Sequence, residues 1–233
     1  MRSAFIRGLW GVPHPEAPTR LARSRWAIVP EIQQWKKCLS SVPFKTYAFG
    51  LENVELLSSI GIQANVLSEK PEMWDNIKEC FRHKIEIIRC ALKEYDEVVW
   101  LDWDCYPIAP LPDNFWSRIA EGQPYKACLK KLGRPHCMWR DTRDNQLYIP
   151  SGGFIYMRGL DMAEKLVKHW EEIGGPDNDE YAMAKLGDVL SGGWNGPREY
   201  CLMFEPFCCT TKRCRVCPED LEVKKEKLFW HAS

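Results

Sequence analysis

The chain predicts an α/β fold, a single domain built on a mostly parallel central sheet. Three observations lead there. Segments of strand character alternate with segments of helical periodicity through the first hundred or so residues, the pattern of strands joined by helical crossovers. Glu97 to Leu101 ends in four consecutive apolar residues, Val98-Val99-Trp100-Leu101, as a buried strand does. The 233 residues are 45% hydrophobic and include 11 Trp, enough for one sizeable core and too apolar for a disordered chain.

Element by element, Ser3 to Leu9 (SAFIRGL) reads as the first strand. Gly8, Gly11, Pro13, Pro15 and Pro18 then enforce a loop. Arg25 to Leu39 reads as a helix, Lys45 to Phe49 as the second strand, Val54 to Ile60 as a short helix and Gln63 to Leu67 as the third strand. Met73 to Tyr95 has the clearest helical periodicity, and Glu97 to Leu101 is the fourth strand. The second half is less regular. Phe115 to Ala120 reads as a short helix, Lys126 to Leu129 and Gly152 to Met157 as strands, Leu160 to Ile173 and Asp179 to Leu186 as helices, and Lys227 to Trp230 as a last strand. Arg134 to Tyr148 reads as a long polar loop, a kind usually tied to function or mobility. No internal repeats or low-complexity tracts interrupt the pattern.

Charge excludes little, because 32 Lys+Arg balance 32 Asp+Glu. Any electrostatic preference must lie in local patches. The N-terminal residues have no apolar run of signal-peptide length, and no stretch approaches the ~20 apolar residues of a membrane span. An odd count of 11 Cys without a secretory signal favours reduced thiols, so a cytoplasmic location is expected.

The segment with the most chemistry is Val98-Val99-Trp100-Leu101-Asp102-Trp103-Asp104. Ligands of open parallel sheets sit beyond the carboxyl ends of the strands, where Asp102 and Asp104 fall if this strand is central. Two carboxylates one residue apart repel unless a cation lies between them, and a hard cation such as Mn²⁺ or Mg²⁺ shared with phosphate oxygens suits them. The competing reading is that the acids solvate a strand end, or that Asp104 caps a turn before Pro107. The preceding helix adds a second clue. Ile77, Phe81, Ile88, Ala91 and Leu92 share a face, and Lys84 falls inside that stripe. A lysine there either snorkels at an edge or is aimed at a buried anion, and periodicity alone favours the edge.

The run EYDEVVWLDWDCYPIAPL resembles the Y-D-x-V-h-h-h-D-x-D-x-h-h segment (h, apolar) of GT-A-type glycosyltransferases, whose fold is Rossmann-like. The pattern is nearest to the retaining group that includes glycogenin and the bacterial lipopolysaccharide galactosyltransferases. The resemblance spans the chain, although a few short motifs carry it. It implies a metal held by Asp102 and Asp104 against the diphosphate of a nucleotide sugar, with Trp103 between them at the donor. It also turns the reading of Lys84 toward the donor sugar or its phosphates, with Arg82 and His83 as register alternatives. Ser151-Gly152-Gly153 resembles the family's N-S-G segment lining the donor-sugar pocket, with Pro150 where Asn is usual. As residues alone, the two glycines fit either a plain turn or a close approach of backbone to ligand. Asp177-Asn178-Asp179-Glu180 resembles a D-Q-D stretch that binds sugar or acceptor hydroxyls. Asp179 is the first candidate there, ahead of Asp177 and Glu180, although acids at a helix start also simply cap it. His231 resembles the third metal ligand, and the glycine and lysine that normally follow it are absent before Ser233.

Cys208, Cys209, Cys214 and Cys217 form a cluster with one C-x-x-C, to which Cys201 or Cys137 could add. A structural Zn²⁺ site is one reading and partly buried reduced thiols the other. Between Lys126 and Arg143 lie Lys130, Lys131, Arg134 and Arg140 against Asp141 alone, with His136 and Trp139 interleaved, and Lys212, Arg213 and Arg215 follow later. Such loops could grip a polyanion, close over the donor diphosphate, or stay solvated.

The resemblance thus implies a glycosyltransferase moving a sugar from a nucleoside diphosphate donor, a UDP-sugar, to an acceptor hydroxyl, with retention of configuration, or with inversion if Asp179 serves as a general base. Residues 1–104 would form the nucleotide-sugar half and residues 105–233 the acceptor half. Lys84 and Asp179 are the expected catalytic residues; Lys84, Asp102, Trp103, Ser151, Gly152 and Gly153 the donor contacts; and Asp102, Asp104 and His231 the metal ligands. The basic loops suggest a polyanionic acceptor such as hydroxymethylated DNA. A nucleotidyltransferase and a non-catalytic zinc-containing nucleic-acid-binding module remain as alternatives, the first weakened because Gly8-Leu9-Trp10-Gly11 is a poor phosphate loop.

Overall fold

A computed structural model describes residues 1–10, 44–69, 80–103, 105–107, 109–131, 139–141, 146–172, 179–191, 209–210 and 228–231. The strands are β1 (Ser3–Leu9), β2 (Phe44–Phe49), β3 (Ala64–Ser68), β4 (Glu97–Leu101), β5 (Cys105–Pro107), β6 (Tyr125–Lys131), β7 (Trp139–Asp141), β8 (Gln146–Arg158), β9 (Cys209–Thr210) and β10 (Phe229–His231). The helices are α1 (Leu51–Ser59), α2 (Cys80–Ala91), α3 (Phe115–Ile119), α4 (Leu160–Glu172) and α5 (Asp179–Ser191). The helix expected over Arg25 to Leu39 lies outside the described residues.

The main sheet runs β3-β2-β1-β4-β8-β6, with β7 paired to β8. β3, β2, β1 and β4 are parallel, and β8 joins β4 antiparallel. A second sheet, β5-β10-β9, stands apart from it. The parallel half is Rossmann-like: the chain leaves β1 toward β2 and β3 on one side and returns to β4 on the other. The switch point of the sheet is therefore between β1 and β4.

β4 is buried throughout, which explains its unbroken apolar run. Alternation along the strands sends Ala4, Ile6 and Trp100 toward α2, where Ile85, Ile88 and Ala91 complete the core. Phe5 faces the other way, into an aromatic layer with Phe115, Trp116 and Phe229. A smaller cluster of Leu9, Ala48, Leu57 and Ile62 sits under α1, with Trp103 packed against it.

Two sequence expectations need correction. The polar loop expected over Arg134 to Tyr148 contains β7 and the start of β8, paired Trp139↔Tyr148 to Asp141↔Gln146. β7 is only three residues long, too short for alternation to be read. The strand expected over Gly152 to Met157 starts earlier, at Gln146, and runs through Pro150. Pairing with β4 begins only at Phe154, so the missing N–H of Pro150 faces no strand on that side.

Candidate functional site

The β1–β2 ladder continues to Leu9↔Ala48, whereas the β1–β4 ladder stops at Ile6↔Trp100. Beyond Ile6 and Trp100 the two strands are no longer paired; this is the switch point, outside which open α/β sheets bind ligands in a crevice. Asp102 sits on its β4 side. Its N–H donates to the Gly153 carbonyl at 2.9 Å, so β8 keeps hold of β4 where β1 lets go.

Lys84 reaches this point from α2. One helical turn before Ile88, it points along the core face, and its side chain is 4% exposed. The Nζ atom lies 3.1 Å from Asp102 Oδ1 and donates to the Gly152 carbonyl at 2.9 Å. It also stands 5.6 Å from the centroid of the Trp100 ring. Asp102 Oδ1 accepts a further bond from Trp100 Nε1 at 2.7 Å, and the Asp102 side chain remains 31% exposed. The lysine is thus a buried cation aimed at a carboxylate, not an edge residue reaching for water.

Gly152 is available to Lys84 because β8 is irregular there. Ala127 pairs with Ile155 but Cys128 pairs with Ser151, so the intervening β8 residues loop out of register. On its other side the Gly152 N–H donates to Glu180 Oε1 at 3.3 Å, and Glu180 is buried. A continuous polar chain therefore links Trp100, Asp102, Lys84, Gly152 and Glu180.

Trp103 turns to the opposite side of the sheet from Asp102. Its Nε1 donates to the Gly8 carbonyl at 2.6 Å, and the fully buried Arg7 guanidinium lies 3.8 Å from its ring centroid. Gly8 has no room for a side chain, because a Cβ there would collide with Ile87 Cδ1 and lie 3.2 Å from Trp10 Cζ3. Beside these, His83 packs at a tilt against Phe49 at 4.6 Å and meets Trp10 edge-on at 6.1 Å, an aromatic wall at the carboxyl ends of β1 and β2.

Of the residues singled out from sequence, Lys84, Asp102, Gly152, Gly153 and Trp103 converge on this crevice. Asp104 lies outside the described residues. Ser151, Asp179 and His231 are described in backbone only: Ser151 in β8, Asp179 as the first residue of α5, and His231 in β10 opposite Cys105. That register brings His231 to the strand that directly follows Asp102-Trp103-Asp104. Cys208, Cys214 and Cys217 lie outside the described residues, and Cys209 is a backbone position in β9. Lys126 does not belong to the exposed basic stretch expected of it, because pairing of β6 with β8 buries it at 7% exposure.

Sequence reasoning passed over Arg7, Trp100 and Gly8. Arg7 had a signal, as the single charge in the otherwise apolar strand SAFIRGL. Trp100 had one too, since strand alternation places it on the same face as Asp102 two residues later. Gly8 was read as a loop signal, whereas it serves helix–strand approach.

Of the expected metal ligands only Asp102 has a described side chain. Asp102 is a partly exposed carboxylate whose Oδ2 has only a long contact with Lys84, 3.4 Å, and so keeps lone pairs to offer. Among the described residues no group of three His, Cys, Asp or Glu side chains comes together to hold a metal. Among them, too, no helix is long and apolar enough to cross a membrane.

No protein-family model and no curated protein matches the chain. Among solved structures it is similar to a glycosyltransferase involved in the glycosylation of the major capsid of PBCV-1. The two are 12% identical with a TM-score of 0.46, and the match covers 99% of this chain and 92% of that one. A likeness that distant carries no weight for the chemistry, which rests on the residues of the crevice.

Proposed function

We propose that the chain is a metal-dependent glycosyltransferase that takes a sugar from a nucleoside diphosphate donor, a UDP-sugar, and passes it to an acceptor hydroxyl with retention of configuration. The observation behind this is the buried Lys84 ammonium paired with Asp102 at the switch-point crevice. A leaving diphosphate gains negative charge as the glycosidic bond breaks, and a fixed cation in a water-poor pocket stabilises that charge more than one in water. Lys84 is such a cation, held in place by Asp102 and the Gly152 carbonyl.

Asp102, with Asp104 and His231, would hold Mn²⁺ or Mg²⁺, which when bound neutralises diphosphate oxygens. Gly152 and Gly153 let a donor approach the backbone without a side chain in the way, and Ser151 and Asp179 would orient the sugar hydroxyls. With Lys126 buried, a polyanionic acceptor such as hydroxymethylated DNA would have to be held by the remaining basic residues, Lys130 and Arg134 among them.

The test is a panel of nucleotide sugars with and without Mn²⁺, reading nucleoside diphosphate release, with Asp102→Ala/Asp104→Ala as control. Metal-dependent release from one donor, lost in the control, is expected. Release of pyrophosphate would identify a nucleotidyltransferase. Absence of both release and a donor-induced thermal shift would defeat the proposal, and a structural zinc found by metal analysis would then favour the nucleic-acid-binding module. For the acceptor, DNA binding should weaken steeply with salt, with a slope that Lys130 and Arg134 substitutions flatten.

A further inference from the structure

The residue between the two acids has its own task. The β1–β4 ladder ends at Ile6↔Trp100, yet the strands are tied again further on by the Trp103 indole, whose N–H donates to the Gly8 carbonyl at 2.6 Å. The ring is held from a second direction by Arg7, buried at 3.8 Å from its centroid, and its edge packs on the Leu9, Ala48, Leu57 and Ile62 cluster. Asp102 points to the opposite side, to Lys84 and Trp100. The backbone at 102–103 is therefore pulled both ways across the sheet, and neither residue can rotate without breaking a short bond.

We infer that Trp103 is a positioning residue: it bridges β1 and the end of β4 and fixes the backbone that presents Asp102, so that this carboxylate is preorganised for a divalent cation. This rests on the metal-binding reading above. A ligand-facing tryptophan would leave its N–H for the nucleotide; here a strand carbonyl takes it.

Two readouts on the full chain test the inference. Mn²⁺ affinity is measured from the free-ion electron paramagnetic resonance signal for the unmodified protein, Trp103→Phe and Trp103→His. Phe keeps a ring against Arg7 but has no N–H, whereas His restores a ring donor. Trp103→Phe should bind Mn²⁺ about tenfold more weakly, the factor that one hydrogen bond is worth, with partial recovery in Trp103→His. Amide exchange gives a metal-independent measure. The Asp102 and Cys105 amides donate to Gly153 O and Asp102 O, both at 2.9 Å. Both should exchange about tenfold faster in Trp103→Phe while Val98 to Trp100 stay unchanged.

An unchanged Mn²⁺ affinity in Trp103→Phe, or exchange that quickens evenly along β4, would overturn the inference. The even pattern is what a merely structural role produces. If the unmodified protein binds no Mn²⁺, the metal reading fails, and amide exchange still decides whether Trp103 fixes this backbone. If both variants fail to fold, the indole N–H of the unmodified protein decides: slow exchange is expected, and free exchange with solvent overturns the inference.

Discussion

The Lys84–Asp102 pair permits a quantitative expectation. Lys84→Met keeps much of the side-chain volume but removes the ammonium. Two acceptors lose their donor, the Gly152 carbonyl and the Asp102 carboxylate. Breaking a fully buried ion pair costs roughly 3–5 kcal/mol because a bare charge is left inside. Here Asp102 is 31% exposed and still accepts from Trp100, so water and the indole take up part of that cost. The loss should be about 2–3 kcal/mol, a fall in Tm of roughly 4–12 °C for a chain of this size. Asp102→Asn and the double variant complete a cycle, read by urea denaturation. If the two groups act as a pair, Lys84→Met should cost at least about 1 kcal/mol less in the Asp102→Asn background. Strict additivity would refute the claim that the ammonium and carboxylate hold each other in place.

Three further outcomes follow from other parts of the core. Tyr156 donates to the buried Glu97 at 2.8 Å, alongside Ser3 at 2.6 Å, so Tyr156→Phe should cost about 1.5–3 kcal/mol in urea titrations. Burial first, and then the bond to Glu97, push the Tyr156 hydroxyl above its ordinary pKa. Its contribution is therefore complete below the unfolded value of ~10 and is lost as pH climbs through the folded one, a decline that Tyr156→Phe should flatten in unfolding midpoints followed into base. Gly8→Ala should cost about 1–3 kcal/mol by thermal melt, because its methyl must displace Ile87 between α2 and β1. Gly159→Ala should cost about 1–2 kcal/mol in the same assay, since Gly159 has φ +86° and an added Cβ would sit 2.6 Å from Asp161 Oδ1.

The first half of the fold was readable because its central strands, β1 and β4, are covered on both faces. β1 and β4 were bounded correctly from Ser3 and Glu97, and β2, β3 and α1 to within a few residues, since burial makes the apolar runs long and unambiguous. The second half was harder to read. β5, β7 and β9 are three, three and two residues long, too short for alternation to show. Lys84 and Asp102 could each be suspected alone, yet only the folded register shows that they meet at the Gly152 irregularity. What Trp103 does was not legible at all: its partner is the carbonyl of Gly8, and a backbone acceptor leaves no trace in residue identity.

β4 is enclosed on all sides, with helices above, an aromatic layer below, β1 along one edge and β8 along the other. A cut after the acid pair would expose Val98 to Leu101 as a bare apolar edge, a template for pairing with other copies. Residues 1–104 therefore cannot be expressed alone as a minimal folded unit, and exchange of the remainder of the chain should succeed only when β8 travels with β4.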